Sequence, residues 1–117
     1  MAWKIVVYQD EQEGQPVNDF IASLPQKDQA RIYWMLDLLR GFGLDLKMPY
    51  ARSVHGKLWE LRVQSGRNIY RIFYFAHTGR RFVLLHAFQK KTRKTPRKEL
   101  AIAERRLTDV LARAEEE

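Results

Sequence analysis

Residues 58–90, LWELRVQSGRNIYRIFYFAHTGRRFVLLHAFQK, decide the fold, because apolar and polar side chains alternate along much of this stretch. It divides into three strand-like runs, 58–64, 68–77 and 81–90, which the short glycine-containing segments SGR and TGR separate. A period of two is typical of half-buried β-strands, and short turns of this kind join antiparallel neighbours. The stretch therefore predicts a three-stranded antiparallel meander.

The segment before this meander predicts one further strand and two helices. Residues 3–8, WKIVVY, are rich in β-branched and aromatic side chains and predict a first strand. Apolar side chains at helical spacing predict a short helix that begins at Pro16 and a longer helix over residues 26–40. Residues 44–57 show no periodicity and are expected to form a loop.

After the meander, Thr95 and Pro96 have the character of a helix N-cap and a first helical position, and they predict a closing helix. The predicted order is strand, two helices, three strands and helix. This order indicates an α+β fold in which the helices pack against one face of a small antiparallel sheet. No linker or repeat divides the chain, so residues 1–117 are expected to form a single domain.

The composition excludes several classes of protein. An apolar content of 45% supports a core, and no apolar run approaches the roughly 20 residues that a membrane span needs. The absence of cysteine excludes disulfides, thiolate catalysis and cysteine-bound zinc. The start of the chain lacks the long apolar stretch of a signal peptide, so we expect a soluble, cytoplasmic protein.

Charge is distributed very unevenly along the chain. Residues 46–98 contain fourteen lysines and arginines but only one acidic residue, Glu60, whereas the remaining residues carry a net charge of −6. Clustered cations attract polyanions and release counterions when phosphates bind. The middle of the chain is therefore predicted to bind nucleic acid, although a solubilising charged surface is the alternative interpretation.

The alternation of the strands places Glu60 and Arg62 on one face, and Arg71 lies in the middle of the second run. An unpaired buried cation is costly, so Arg71 is expected to face solvent or a bound anion. The structural alternative is an ion pair between Arg71 and Glu60 on the neighbouring strand.

A basic cluster, QKKTRKTPRK, follows the third run of the meander over residues 89–98. Cations at the end of a strand and the start of a helix are suited to phosphate binding, because the helix N-terminus adds positive potential. The alternative interpretation is a solvated basic turn. The three histidines, His55, His77 and His86, have no metal-binding spacing, and His77 and His86 are expected to be satisfied core or surface histidines. The aromatic residues of the meander could stack on bases, but most of them are expected to lie in the core.

The combination of GKLWELR, IYRIFYF, LLHAFQKKTRKTP and ELAIAERRL, at residues 56–62, 69–75, 84–96 and 99–107, resembles the HigB-like branch of the RelE/ParE type II toxin superfamily. The resemblance extends over nearly the whole chain. It implies a RelE-like, microbial-ribonuclease-like fold and a toxin that cleaves mRNA in the ribosomal A site. It also implies a cognate antitoxin, often a helix-turn-helix protein, that neutralises the toxin.

The resemblance also assigns roles to residues of this chain. Arg71 matches a strand arginine that contacts the scissile phosphate, and Arg62 matches a basic position on the preceding strand. Lys90 and Lys91 match basic residues that follow the last strand, whereas the tyrosine that RelE itself carries shortly after them is absent here. The general base is therefore left open between these two lysines, with His86 in reserve.

The implied chemistry is an attack of a 2′-OH on the adjacent phosphate, which needs no metal or other cofactor. Further cations are expected to bind the RNA backbone: Lys57, Arg93, Lys94 and Arg97. Two other functions stay open from the sequence. One is inhibition of DNA gyrase, as in ParE-like members of the superfamily, and the other is nucleic-acid binding without catalysis.

Overall fold

The computed structural model describes residues 3–116 and contains a five-stranded sheet with three α-helices. Within the described residues, no helix has the length and hydropathy that crossing a membrane requires. The elements in chain order are β1 (Lys4–Val7), α1 (Pro16–Ala22), α2 (Gln26–Phe42), a 3₁₀ turn (Gly43–Asp45), β2 (Ala51–His55), β3 (Leu58–Ser65), β4 (Asn68–His77), β5 (Arg81–Gln89) and α3 (Arg97–Glu116).

The predicted meander is confirmed as β3, β4 and β5, which pair antiparallel. The expectation of a wholly antiparallel sheet is wrong, because β1 pairs parallel with β5 and makes the sheet mixed, in the order β1-β5-β4-β3-β2. Lys4 lies opposite Arg81 in this pair. A pairing between segments so far apart in sequence leaves no local signal in either strand.

The expected loop over residues 44–57 is also wrong in its second half, because Ala51–His55 forms β2 and pairs antiparallel with β3. Gly56 has a φ of +54° in the turn between the two strands, a conformation that glycine adopts without a steric penalty. This β2–β3 hairpin places Arg52 directly opposite Glu60.

Helices cover both faces of the sheet, so the prediction that they share one face is wrong. Alternate residues of β4 belong to different clusters: Ile72 and Tyr74 pack with α1 and α2, whereas Phe73 and Phe75 pack against α3. Successive side chains of a strand point to opposite faces. Both faces of β4 are apolar, and each therefore needs a covering layer.

A buried carboxylate joins α2 to the β3–β4 hairpin. Asp28 accepts hydrogen bonds from Ser65 Oγ at 2.6 Å, Asn68 Nδ2 at 2.9 Å and the hydroxyl of Tyr70. These bonds hold the pKa of Asp28 below its ordinary value. Burial and the bond to Asp28 raise the pKa of Tyr70 to about 12.

We expect Asp28→Asn to lower the free energy of unfolding by about 3 kcal/mol, because an amide places a donor against donors in a buried site. Urea denaturation followed by circular dichroism measures the change. Asp37→Asn, at an exposed carboxylate on the same helix, is the matched control and should change the free energy of unfolding little. Equal effects of the two substitutions would contradict the role assigned to Asp28.

Candidate nucleic-acid interface

A single carboxylate, that of Glu60 on β3, lies among three arginines. Its Oε2 atom lies 3.0 Å from Nε of Arg52, 3.8 Å from Nε of Arg71 and 4.0 Å from Nε of Arg62. We call these four residues the Glu60 cluster. Three positive charges against one negative charge leave a surplus of positive charge at this part of the sheet.

The register of three strands brings the cluster together. Glu60 and Arg62 are two residues apart on β3 and share a face, as the alternation predicted. Arg71 lies opposite Arg62 in the β3–β4 ladder, and Arg52 lies opposite Glu60 in the β2–β3 ladder. The sequence indicated the first three residues but not Arg52, because its strand was assigned to a loop.

The side chain of Arg71 is only 7% exposed, so the surplus charge is partly buried. The expectation that Arg71 faces solvent is wrong, because the alternative ion pair with Glu60 is present. Nη1 of Arg71 also donates to the carbonyl oxygen of Tyr70 at 3.1 Å. Burial lowers the pKa of Arg71, and the nearby charge of Arg62 lowers it further. A bound anion would therefore lower the free-energy cost of keeping the buried guanidinium of Arg71 charged.

A depression of about 700 Å³ opens beside the Glu60 cluster, and we call it the cationic depression. Lys90 is held at its edge, where its backbone N–H donates to the carbonyl of Ile69 and its Nζ donates to the carbonyl of Arg93 at 2.7 Å. Burial lowers the pKa of Lys90, and the charge of Arg71 adds to this effect. The cations that line the depression are Arg67, Arg71, Lys90, Lys91 and Arg93.

Three of the cations expected to bind RNA lie outside this depression. Lys94 is exposed in the turn before α3, and Arg97 is exposed at the first residue of that helix. Lys57 lines a separate apolar cavity of about 220 Å³ with Trp59 and Phe82. This cavity shares no lining residue with the cationic depression.

His86 lies on β5 beneath α3 and is held from both sides. Its Nε2 lies 3.0 Å from Oε1 of Glu99, and its Nδ1 lies 3.3 Å from Nη1 of Arg106. Since arginine only donates hydrogen bonds, this arrangement suits a neutral ring that donates to Glu99 and accepts from Arg106. Burial lowers the pKa of His86 in agreement with a neutral ring.

The expectation that most aromatic residues of the meander lie in the core is confirmed. Tyr70, Phe73, Tyr74, Phe75, Phe82 and Phe88 are all buried and cannot stack on a base from solution. Within residues 3–116 no group of histidines and carboxylates is arranged to hold a metal ion. The sequence analysis did not identify Arg52, Arg67 or the exposed Tyr50 as site residues. Only Arg67 could have been identified, because it is a cation in the turn between two predicted strands.

The fold and the surplus of cations at one end of the sheet define a small α+β protein with a surface suited to a phosphate-containing polymer. The family model for phage-derived proteins like Gp49 (DUF891) matches residues 19–108, and the chain belongs to this Gp49-like family. The family is part of the RelE/ParE-like toxin superfamily, and membership of a toxin–antitoxin family implies a cognate antitoxin. No curated protein matches the chain.

Glu60→Gln should lower the free energy of unfolding by about 3 kcal/mol or more, because three cations then lose their common counter-charge. Sulfate should restore part of this loss by binding among the arginines. The measurement is the melting temperature in sulfate and in chloride at equal ionic strength.

Sulfate also stabilises proteins in general, so the informative quantity is how much more sulfate raises the melting temperature of the variant than that of the unsubstituted chain. Glu104→Gln, at an exposed glutamate of α3, is the matched control and should gain no more than the unsubstituted chain. An equal gain in all three proteins would show that no anion replaces the carboxylate of Glu60.

The free energy of unfolding should decrease as the pH falls below about 6.5, because the unfolded chain takes up the proton that buried His86 resists. The loss should end once the pH is below the lowered pKa of the folded state. His86→Gln should remove this component, whereas His55→Gln, at an exposed histidine, should retain it. Urea denaturation between pH 5 and pH 8 provides the comparison, and identical pH profiles for the two variants would contradict it.

Proposed function

We propose that this chain is the toxin of a toxin–antitoxin pair and acts as a HigB-like, ribosome-dependent mRNA endoribonuclease with a RelE-like fold. The observation that carries the proposal is the Glu60 cluster, in which three arginines share one carboxylate beside the cationic depression. An RNA phosphate would supply the counter-charge that this arrangement lacks.

The reaction begins when the 2′-oxygen of one ribose attacks the adjacent phosphorus atom. The bond from phosphorus to the 5′-oxygen of the next nucleotide breaks, which leaves a 2′,3′-cyclic phosphate. A base removes the 2′ proton and an acid protonates the departing 5′-oxygen. Arg71, assisted by Arg62, stabilises the additional negative charge on the phosphate oxygens.

Lys90 is the favoured base, because its pKa is lowered and it lines the same depression as Arg71. A lowered pKa makes the amine of a lysine lose its proton more readily than that of a free lysine, which is the direction that a general base requires. Lys91 lines this depression as well and is the alternative base. The contacts of His86 with Glu99 and Arg106 favour a structural role, because they occupy both of its ring nitrogens.

The proposed substrate and partners follow from the charge of this surface. Ribosomal RNA and mRNA are polyanions, and the fourteen cations of residues 46–98 would favour association with both. The antitoxin, which we propose to be a small helix-turn-helix protein, would act by blocking this association.

The near-complete burial of Arg71 favours a second candidate, a nucleic-acid-binding protein without catalysis. In that case the Glu60 cluster would bind phosphates but would not stabilise the transition state of cleavage. Binding and cleavage therefore have to be measured separately.

Arg71→Lys should slow single-turnover cleavage of mRNA on programmed ribosomes by about a hundredfold, because lysine keeps the charge but loses the planar fork of donors. Arg105→Lys, at an exposed arginine of α3 outside the Glu60 cluster, is the matched control and should cleave at the unsubstituted rate. A substrate with 2′-deoxyribose at the cut site should not be cleaved.

Unchanged cleavage by Arg71→Lys would remove Arg71 from the mechanism, and cleavage of the deoxy substrate would refute 2′-OH attack. RNA binding without cleavage by the unsubstituted chain would support the non-catalytic candidate. DNA damage and filamentation on expression, in place of halted translation, would instead indicate gyrase inhibition.

A further inference from the structure

A second depression, of about 350 Å³, adjoins the Glu60 cluster, and we call it the Tyr50 cleft. It shares Ile69 and Arg71 with the cationic depression, so Arg71 lines both. The volume is at the lower end of the range of about 300 to 1,000 Å³ that small-molecule sites occupy. A group bound in this cleft would therefore be small and would lie next to any phosphate held by Arg71.

Tyr50 forms one wall of the cleft and is 41% exposed, although its backbone is held on both sides. Its N–H donates to the carbonyl of Lys47 at 3.0 Å, and its own carbonyl accepts from the N–H of Arg62 at 2.8 Å. An aromatic ring that is open to solvent on an anchored backbone provides a stacking surface at low entropic cost.

The remaining lining combines apolar and planar polar groups. Met35 and Val63 are buried and contribute apolar surface, and Gln64 also lines the cleft. The guanidinium of Arg31 lies 4.5 Å from the ring centroid of Trp34, and its Nε donates to the carbonyl of Gln64 at 3.2 Å. These contacts hold a flat cation at the cleft.

A cleft with an apolar floor, an aromatic wall and planar hydrogen-bonding groups suits a flat heteroaromatic ring with polar edges. We propose that the Tyr50 cleft is a nucleobase subsite, in which the base stacks on Tyr50 while the phosphate of the same strand lies at Arg62 and Arg71. This inference rests on the proposed action on RNA and deepens it by placing a base beside the phosphate-binding arginines.

Fluorescence anisotropy with a labelled single-stranded hexa-adenylate, and with the same ribose-phosphate chain lacking its bases, tests the subsite. The unsubstituted protein should bind the base-containing chain about tenfold more tightly than the abasic one. Tyr50→Ala should remove this difference and Tyr50→Phe should retain it. Tyr33→Ala, at an exposed tyrosine of α2 that does not line the cleft, is the matched control and should also retain it.

Each other outcome overturns the proposal in a distinguishable way. If both chains bind equally tightly, the nucleobase subsite is wrong and the phosphate-binding surface remains. If Tyr50→Ala retains the tenfold difference, the bases bind elsewhere on the protein. If the protein binds poly-glutamate but neither hexa-adenylate nor the abasic ribose-phosphate, both the nucleobase subsite and the proposed action on RNA are wrong. This surface then docks an acidic protein segment.

Discussion

The arrangement around Glu60 depends on an unequal ion pairing, in which one nearly buried carboxylate faces three guanidinium groups. The carboxylate allows Arg71 to lie beneath the surface of the sheet, where an unpaired charge would be costly. One carboxylate cannot neutralise three guanidinium groups, so positive charge remains beside the depressions that Arg62 and Arg71 line. The same contact therefore stabilises the sheet and leaves a surplus of positive charge beside the two depressions.

The position of these charges follows from the way in which the sheet buries its two faces. The aromatic residues of β4 need cover on both sides, which α1 and α2 provide on one face and α3 on the other. Arg71, on the same face as Phe73, is the point at which that face changes from aromatic to charged. The Glu60 cluster is thus a continuation of the sheet surface, because all four of its members lie on strands.

The candidate site was partly predictable, because the period of the strands placed Glu60 and Arg62 on one face and singled out Arg71. Lys90 was predictable as a cation at the end of a strand. Arg52 and Tyr50 were not, since their segment has no periodicity and acquires its structure only by pairing with β3. A satisfied histidine was the favoured interpretation of His86, but its partners Glu99 and Arg106 and the cavity that Lys57 lines were beyond prediction, because these neighbours come from other elements of the fold.

Local patterns in the sequence by themselves determined the three-stranded meander, the two helices before it, the closing helix and the concentration of positive charge in the middle of the chain. Periodicity, turn residues and charge are properties of neighbouring residues, so they can be identified without the fold. Only the tertiary structure decided the parallel pairing of β1, the packing of α3 on the opposite face of the sheet from α1 and α2, and the number of arginines at Glu60. These features depend on contacts between residues distant in sequence, where packing and strand register determine which side chains meet.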